Sequence, residues 1–280
     1  MSPEEAVALA CAAFDLDPAH ARVLRAADHI TVALDDDHVA RVIPDPVDDD
    51  RRVLAAAMLL PRLLQRLDEP VERDGALIVA YPRVAPGLDG VADLAPGGTS
   101  LAAHHAQGRL LLRSGAVDLP VFDPVHLAER WLDRAPDVLD RDERAALVRA
   151  VDGRWALVDG EPAVLHADAH PANWFADDAG PWLMIDPEYL SIGPAVYDLA
   201  PLEVVERRLG DGPSRFASLR AGYEEAAGPV DGAALAAAIG ARELLSVAWL
   251  AAHARDAAVA DRVRARLADA LAGRAGSWRA

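Results

Sequence analysis

Five polar side chains, His166, Asp168, His170, Asn173 and Asp186, fall within residues 164–200, VLHADAHPANWFADDAGPWLMIDPEYLSIGPAVYDLA. Their types and spacing suit phosphoryl transfer from a nucleotide to a hydroxyl. That reaction needs a carboxylate beside the attacking O–H and oxygen ligands that hold Mg2+ against the phosphates. Asp168 suits the first task. Asn173, five residues on, offers an amide oxygen, and Asp186, eighteen residues beyond Asp168, offers a carboxylate at the start of a later loop. One carboxylate and one amide leave the remaining positions around the metal to phosphate and water. His166 and His170 are placed to orient the loop by hydrogen bonds.

Each residue alone has a plainer reading: Asp168 and Asn173 as turn residues or caps, Asp186-Pro187 as a strand terminus. The joint spacing, with Gly193-Pro194 and Tyr197-Asp198-Leu199-Ala200 downstream, favours a site. Zinc is the competing metal, since His166 and His170 at i, i+4 would share a helix face. Pro171 disfavours helical backbone at His170, and no third ligand stands out.

Positioning these groups requires two strands flanking a loop, and the apolar runs Val164-Leu165 and Trp182-Leu183-Met184-Ile185 supply them. Upstream, Ser2-Pro3-Glu4-Glu5 starts a helix, and residues 18–27 read as a second, short one. Alternation of Ile30, Val32 and Leu34, then Asp35-Asp36-Asp37, then Val39, Arg41 and Ile43 predicts a β-hairpin over 30–43 with an acidic turn. Pro44 and Pro46 end it, and Asp48-Asp49-Asp50 start a helix expected to run through Leu63 and Leu64. Residues 77–81 read as a strand that enters the irregular stretch 82–87. Helices are expected over 100–115, 124–134, 141–151, 201–209, 214–227, 233–255 and 257–272. The order predicts an α+β chain of two lobes, 1–83 and 84–280.

Composition narrows the function. At 280 residues the chain can bury a sizeable core, and 52% hydrophobic content with only 5% aromatics points to alanine-rich, closely packed helices. A formal charge of -17 argues against nucleic acid or an anionic membrane as partner and is compatible with cationic substrates. All 28 basic residues counted as Lys+Arg are arginine. The single Cys11 excludes an intramolecular disulfide. Acidic first residues, and apolar runs short of the ~20 residues of a membrane span, give a cytoplasmic protein as the expectation.

The central segment resembles the aminoglycoside phosphotransferase-like kinases, which include choline and homoserine kinase relatives and share the protein-kinase-like fold. His166-Ala167-Asp168-Ala169-His170-Pro171-Ala172-Asn173 is similar to that family's catalytic loop, H-G-D-x-H-x-x-N. Ile185-Asp186-Pro187-Glu188 is similar to its I-D-[WFP]-E metal-binding segment, and the run from Gly193 to Ala200 to its G-x-x-x-x-D-L-A continuation. The resemblance implies Asp168 as catalytic base with His166 beside it, Asn173 and Asp186 as Mg2+ ligands, and Asp198 and His170 as structural support. It implies that the 30–43 hairpin covers the phosphates of ATP or GTP. Ala80, Tyr81 and Arg83 would meet the nucleotide around a hinge at 81–84. The last four helices would supply the acceptor pocket, with Glu188 and Glu203 as contacts.

Departures from the pattern matter. Arg41 stands where the family has a lysine, and no glutamate occurs between Glu5 and Glu69 to orient it from the following helix. Ala167 replaces a glycine, which matters only if that position needs φ > 0. The histidine of the preceding helix could be His104 or His105, with Arg113 nearby. The leading reading is transfer of a γ-phosphoryl group to a small-molecule hydroxyl, on an aminoglycoside-like or amino-alcohol substrate. Glu203, Glu206, Asp211, Glu224, Glu225 and Glu243 lie in the expected acceptor block, either lining an acidic pocket or simply solvated. The altered nucleotide lobe motivates a second reading, a non-catalytic binding protein that keeps the fold.

Overall fold

The alternation in residues 30–43 folds as expected and seeds the N-terminal sheet. In the computed structural model, which describes residues 1–26, 29–85, 87–88, 90–135, 137–175, 181–210, 214–274 and 276–278, the chain opens with α1 (Pro3–Ala13). Ser2 and Glu5 close a reciprocal capping box at its start. Then come β1 (Arg22–Ala26), β2 (Ile30–Ala33), β3 (His38–Pro44), α2 (Asp48–Ala57), β4 (Val71–Arg73) and β5 (Ala76–Pro82). The strands form one antiparallel sheet in the order β1-β2-β3-β5-β4. Asp35 shapes the hairpin turn by accepting hydrogen bonds from the Asp37 and His38 amides, each 2.7 Å.

Period-two alternation divides the sheet into two faces. Ile30, Val32, Ala40, Val42 and Ile78 pack with Ala6, Ala10 and Cys11 of α1. Ile43, Leu77 and Val79 pack on Leu54 of α2. Arg41, paired in register with Thr31 and Val79, belongs to this second face.

Two expectations fail here for physical reasons. Residues 18–27 give only a 3-10 turn, Pro18–His20, before β1, because Val23 finds a strand partner in Val32 and sheet pairing outweighs the alanine-arginine helix propensity. The helix from Asp48 stops at Ala57, as Pro61 lacks an N–H and biases Leu60 out of helical backbone. Leu60 and Leu63 still become fully buried, in the same core as Trp174 and Met184.

The remaining chain supplies α3 (Ala95–Ser114), α4 (Pro124–Asp133), α5 (Arg141–Trp155), β6 (Pro162–Leu165), β7 (Trp174–Phe175), β8 (Leu183–Met184) and β9 (Ser191–Pro194). Helices α6 (Ala200–Leu209), α7 (Phe216–Ala227), α8 (Gly232–Ala252) and α9 (Ala257–Leu271) follow. Pairing of β6 with β9 and of β7 with β8 makes the two small ladders that frame the central loop. Helices α3 and α7 cross at backbone contact: a Cβ on Gly98 would lie 2.0 Å from the Leu219 carbonyl oxygen, and one on Gly222 2.1 Å from that of Ala95. Among the described residues α8 alone is long and apolar enough to cross a membrane, yet Leu244, Leu245, Val247 and Ala248 are buried in the C-terminal core.

Candidate active site

Strand β6 delivers residues 166–168 into a network organised by Asp198. This carboxylate, 1% exposed, accepts from the His166 amide (2.7 Å), the Ala167 amide (2.7 Å) and His105 Nε2 (3.0 Å). Burial opposes its charge, but the His105 hydrogen bond and the neighbouring histidines outweigh that, holding the carboxyl below its usual range. His105 Nδ1 lies 2.9 Å from the Tyr223 hydroxyl on α7. Of the two α3 histidines, His105 therefore touches the loop's support.

Ala167 adopts φ 63, the left-handed conformation in which the missing glycine would carry no steric penalty. Asp186 is also left-handed, at φ 65. His166 is fully buried: Nε2 donates to the Ile185 carbonyl (2.8 Å), which leaves Nδ1 to accept from the Asp168 amide (3.3 Å). The Ile185 amide donates to the Asn173 carbonyl (2.8 Å), so Ile185 stitches the two loops together. With both His166 nitrogens engaged, and His170 at the start of a 3-10 turn, the zinc pairing does not form.

Asp168 presents its two oxygens to different neighbours. Oδ2 lies 3.3 Å from Asn173 Nδ2 and 3.5 Å from His170 Nε2, while Oδ1 accepts from Arg242 Nη2 at 2.6 Å. Burial lowers the His170 pKa from its ordinary value despite the nearby Asp168. Asn173 Nδ2 also donates to the Asp168 carbonyl (2.9 Å), so the side-chain oxygen of Asn173 is the atom left for a cation. Arg242 escaped the sequence reading. The available signal was a charged pair, Arg242-Glu243, interrupting an otherwise uncharged 21-residue helix.

Asp186 faces the N-terminal sheet. Arg41 forms an ion pair with it, and Arg25 Nη1 lies 3.6 Å away. Arg41 also donates to Glu188 (2.6 Å), which pairs with His29. The carboxylate partner that α2 does not provide thus comes from beyond Asp186. Burial opposes ionisation of Asp186, yet Arg41 and Arg25 keep its carboxyl below the usual range.

A cavity of about 440 Å3 lies between sheet and loops, walled by Val39, Leu64, Tyr81, Val84 and Ile185, with Arg41, Asn173 and Asp186 also lining it. Tyr81 and Arg83 contribute to it. Ala80 does not: it pairs with Ala40, and its carbonyl accepts from the Leu67 amide (2.9 Å). The Arg83 amide donates to the Asp37 carbonyl (2.6 Å), so that hinge donor is already used. Nor do the acidic residues of the expected acceptor block wall the cleft. Glu203 accepts from Ser214 (3.0 Å), Glu206 pairs with Arg215, Glu224 with Arg220, and Glu243 with Arg207 and Arg208. Glu225 is exposed, and Asp211 lies outside the described residues. Glu188, expected at the acceptor, is bound to the N-terminal sheet instead.

A two-lobed fold whose interlobe cavity is lined by an Asn and an Asp, with a further Asp hydrogen-bonded to that Asn, is that of the kinase-type phosphotransferases. The sequence matches the model of the phosphotransferase enzyme family over residues 16–239, and the chain belongs to that family. The family is one of phosphotransferase enzymes. No protein of curated function matches it by sequence. Among solved structures it is similar to a microcompartment-associated aminopropanol kinase, at 18% identity, 94% coverage of both chains and TM-score 0.70. An amicoumacin kinase in complex with AMP-PNP, Ca2+ and Ami matches at 10% identity, covering 98% of this chain and 95% of that one, with TM-score 0.72. The GDP complex of aminoglycoside 2'-phosphotransferase-IIIa matches at 15% identity, 98% and 99% coverage, and TM-score 0.64.

Proposed function

We propose that this cleft moves the γ-phosphoryl group of ATP or GTP to a hydroxyl, with Asp168 taking the hydroxyl proton. In balance, the acceptor oxygen forms the new O–P bond and its proton passes to Asp168. The bond from phosphorus to the bridging β-phosphate oxygen breaks, its electron pair leaving with the nucleoside diphosphate. The observation that carries the reading is the convergence of Asp168, Asn173 and Asp186, with the Asn173 amide nitrogen turned to Asp168 and its oxygen left over. Hard oxygen donors of this kind fit Mg2+, which when bound neutralises phosphate charge.

The protein's own groups do the rest. Asn173 and Asp186 would hold the metal, and Arg41, with Arg25 beside it, would turn to the phosphates. The apolar walls at Val39, Leu64 and Val84 would take the base. His166 serves as a positioning residue, because its ring ties the Asp168 loop to the Asp186 loop. The 81–84 hinge and the lobe division at 83/84 belong to the same reading.

No observation favours the non-catalytic alternative. The test is turnover of Mg-nucleotide with a panel of hydroxyl compounds by wild type, Asp168→Ala and Asp186→Ala. Loss of the base should lower kcat by about 10²–10⁴-fold, and Asp186→Ala should abolish the metal dependence of nucleotide binding. Undiminished turnover in both variants refutes the assignment.

A further inference from the structure

We infer that the acceptor carries an anionic group, such as a carboxylate, close to its reacting hydroxyl, and that Arg242 receives it. The inference rests on the phosphoryl-transfer reading of Asp168. Arg242 reaches Asp168 from α8, on Oδ1, whereas Asn173 and His170, which line the nucleotide cavity, approach Oδ2. The guanidinium therefore stands on the side of the base away from the nucleotide. Its i+4, i+7 and i+11 companions are Ser246 and Trp249 on α8 and His253 at the helix's C-cap, and none of these is a carboxylate. Trp249 and His253 stack at 4.2 Å between ring centroids and face Glu188 across the lobe junction.

Charge pairing around this row disfavours a cationic acceptor. Glu243, next in sequence to Arg242, is buried against Arg207 and Arg208. Glu188 is committed to Arg41 and His29, and Asp186 to Arg41 and Arg25. An ammonium group placed beside Asp168 would meet a guanidinium whose side chain is only 13% exposed and weakly screened. A carboxylate there finds a planar, permanently charged fork of five N–H donors, one of them on Asp168 and with the Tyr197 hydroxyl also beside it. An acceptor with its hydroxyl on Asp168 and its acid group on the same guanidinium has the two groups on neighbouring or next-neighbouring carbons: a small hydroxy acid. The aminopropanol of the structural neighbour has the opposite charge.

The experiment uses the full chain with Mg-ATP and Mg-GTP and a matched three-carbon set, glycerate, glycerol and 3-amino-1,2-propanediol, widened to other hydroxy acids, polyols and amino alcohols. Phosphorylated product is read by mass and phosphorus NMR, for wild type, Arg242→Gln and Arg242→Lys. Wild type should favour the acid over the amine in kcat/KM by at least about tenfold. Arg242→Gln should erase that preference, chiefly by raising KM for the acid, and Arg242→Lys should restore part of it. Preference for amines, equal losses on all three classes in Arg242→Gln, or silence of every hydroxy acid while Mg-nucleotide still binds would each overturn the inference. Calorimetry separates the two levels: absence of nucleotide binding refutes the phosphotransferase reading itself, and this inference with it.

Discussion

Replacing Asp198 with Asn tests the support of the catalytic loop with almost no change of shape. The carboxylate satisfies three donors with two oxygens: Oδ1 takes the Ala167 amide, and Oδ2 takes both the His166 amide and His105 Nε2. An amide offers one oxygen and one NH2, so in either orientation a donor faces a donor inside a site that water does not reach. One charge-assisted hydrogen bond is lost, ~1.5–3 kcal/mol, and one buried N–H is left unpaired, ~1–3 kcal/mol. Relief of the buried charge offsets part of this, leaving about 3 kcal/mol of destabilisation, a large share of the ~5–15 kcal/mol by which domains are stable. Urea unfolding near pH 7 followed by circular dichroism measures it. The pH dependence adds a second check. The folded pKa lies below its unfolded value, so the stabilisation is fully present above about pH 4 and disappears as pH falls through the folded value. The gap between wild type and Asp198→Asn should hold constant from mildly alkaline to mildly acidic pH and then close. A gap under about 1 kcal/mol, or one that widens on acidification, refutes the reasoning.

Gly98→Ala places a methyl 2.0 Å from the Leu219 carbonyl oxygen and 2.6 Å from the Tyr223 nitrogen, both backbone, so α7 must shift, at about 3 kcal/mol or more. Gly153→Ala on α5, with nothing within 4 Å, is the control and should be neutral or stabilising by up to ~1 kcal/mol in the same urea assay. His104 gives an acid-sensitivity test: burial, then His105 beside it, lowers its pKa to about 3. Its contribution is complete above ~6.5 and falls by ~1.4 kcal/mol per pH unit below that, as the unfolded chain takes the proton first. His104→Leu should flatten the urea midpoint between pH ~7 and ~5, and an unchanged slope refutes the assignment.

What the sequence made legible was local. The hairpin announced itself by alternation and by Asp35, and Asp123, Asp140 and Asp231 mark helix starts by accepting backbone amides within three residues. Asp168 and Asn173, five residues apart, are likewise a short-range arrangement. Contacts between distant segments stayed hidden. Arg242 meets Asp168 across 74 positions, and Arg41 meets Glu188 across 147. Acidic residues counted without their arginine partners suggested an acceptor pocket, whereas Glu206, Glu224 and Glu243 are neutralised where they stand. Strand β1 was missed because Arg22–Ala26 becomes a strand only through β2. The conformation of Ala167 depends on Asp198, 31 residues further on.

Arg41 gives the cleft an internal counter-ion. Bridging Asp186 and Glu188, it sets one positive charge between two carboxylates, with Arg25 and His29 beside them, and ties the N-terminal sheet to the loop that carries both acids. Under the proposed roles, loading the nucleotide would draw the guanidinium from the carboxylates towards the phosphates and leave Asp186 free to hold a metal. Arg41 and a metal held by Asp186 would then compete for the same carboxylate, so a change that loosens Arg41's hold on Glu188 would register as a change in apparent affinity for the ion.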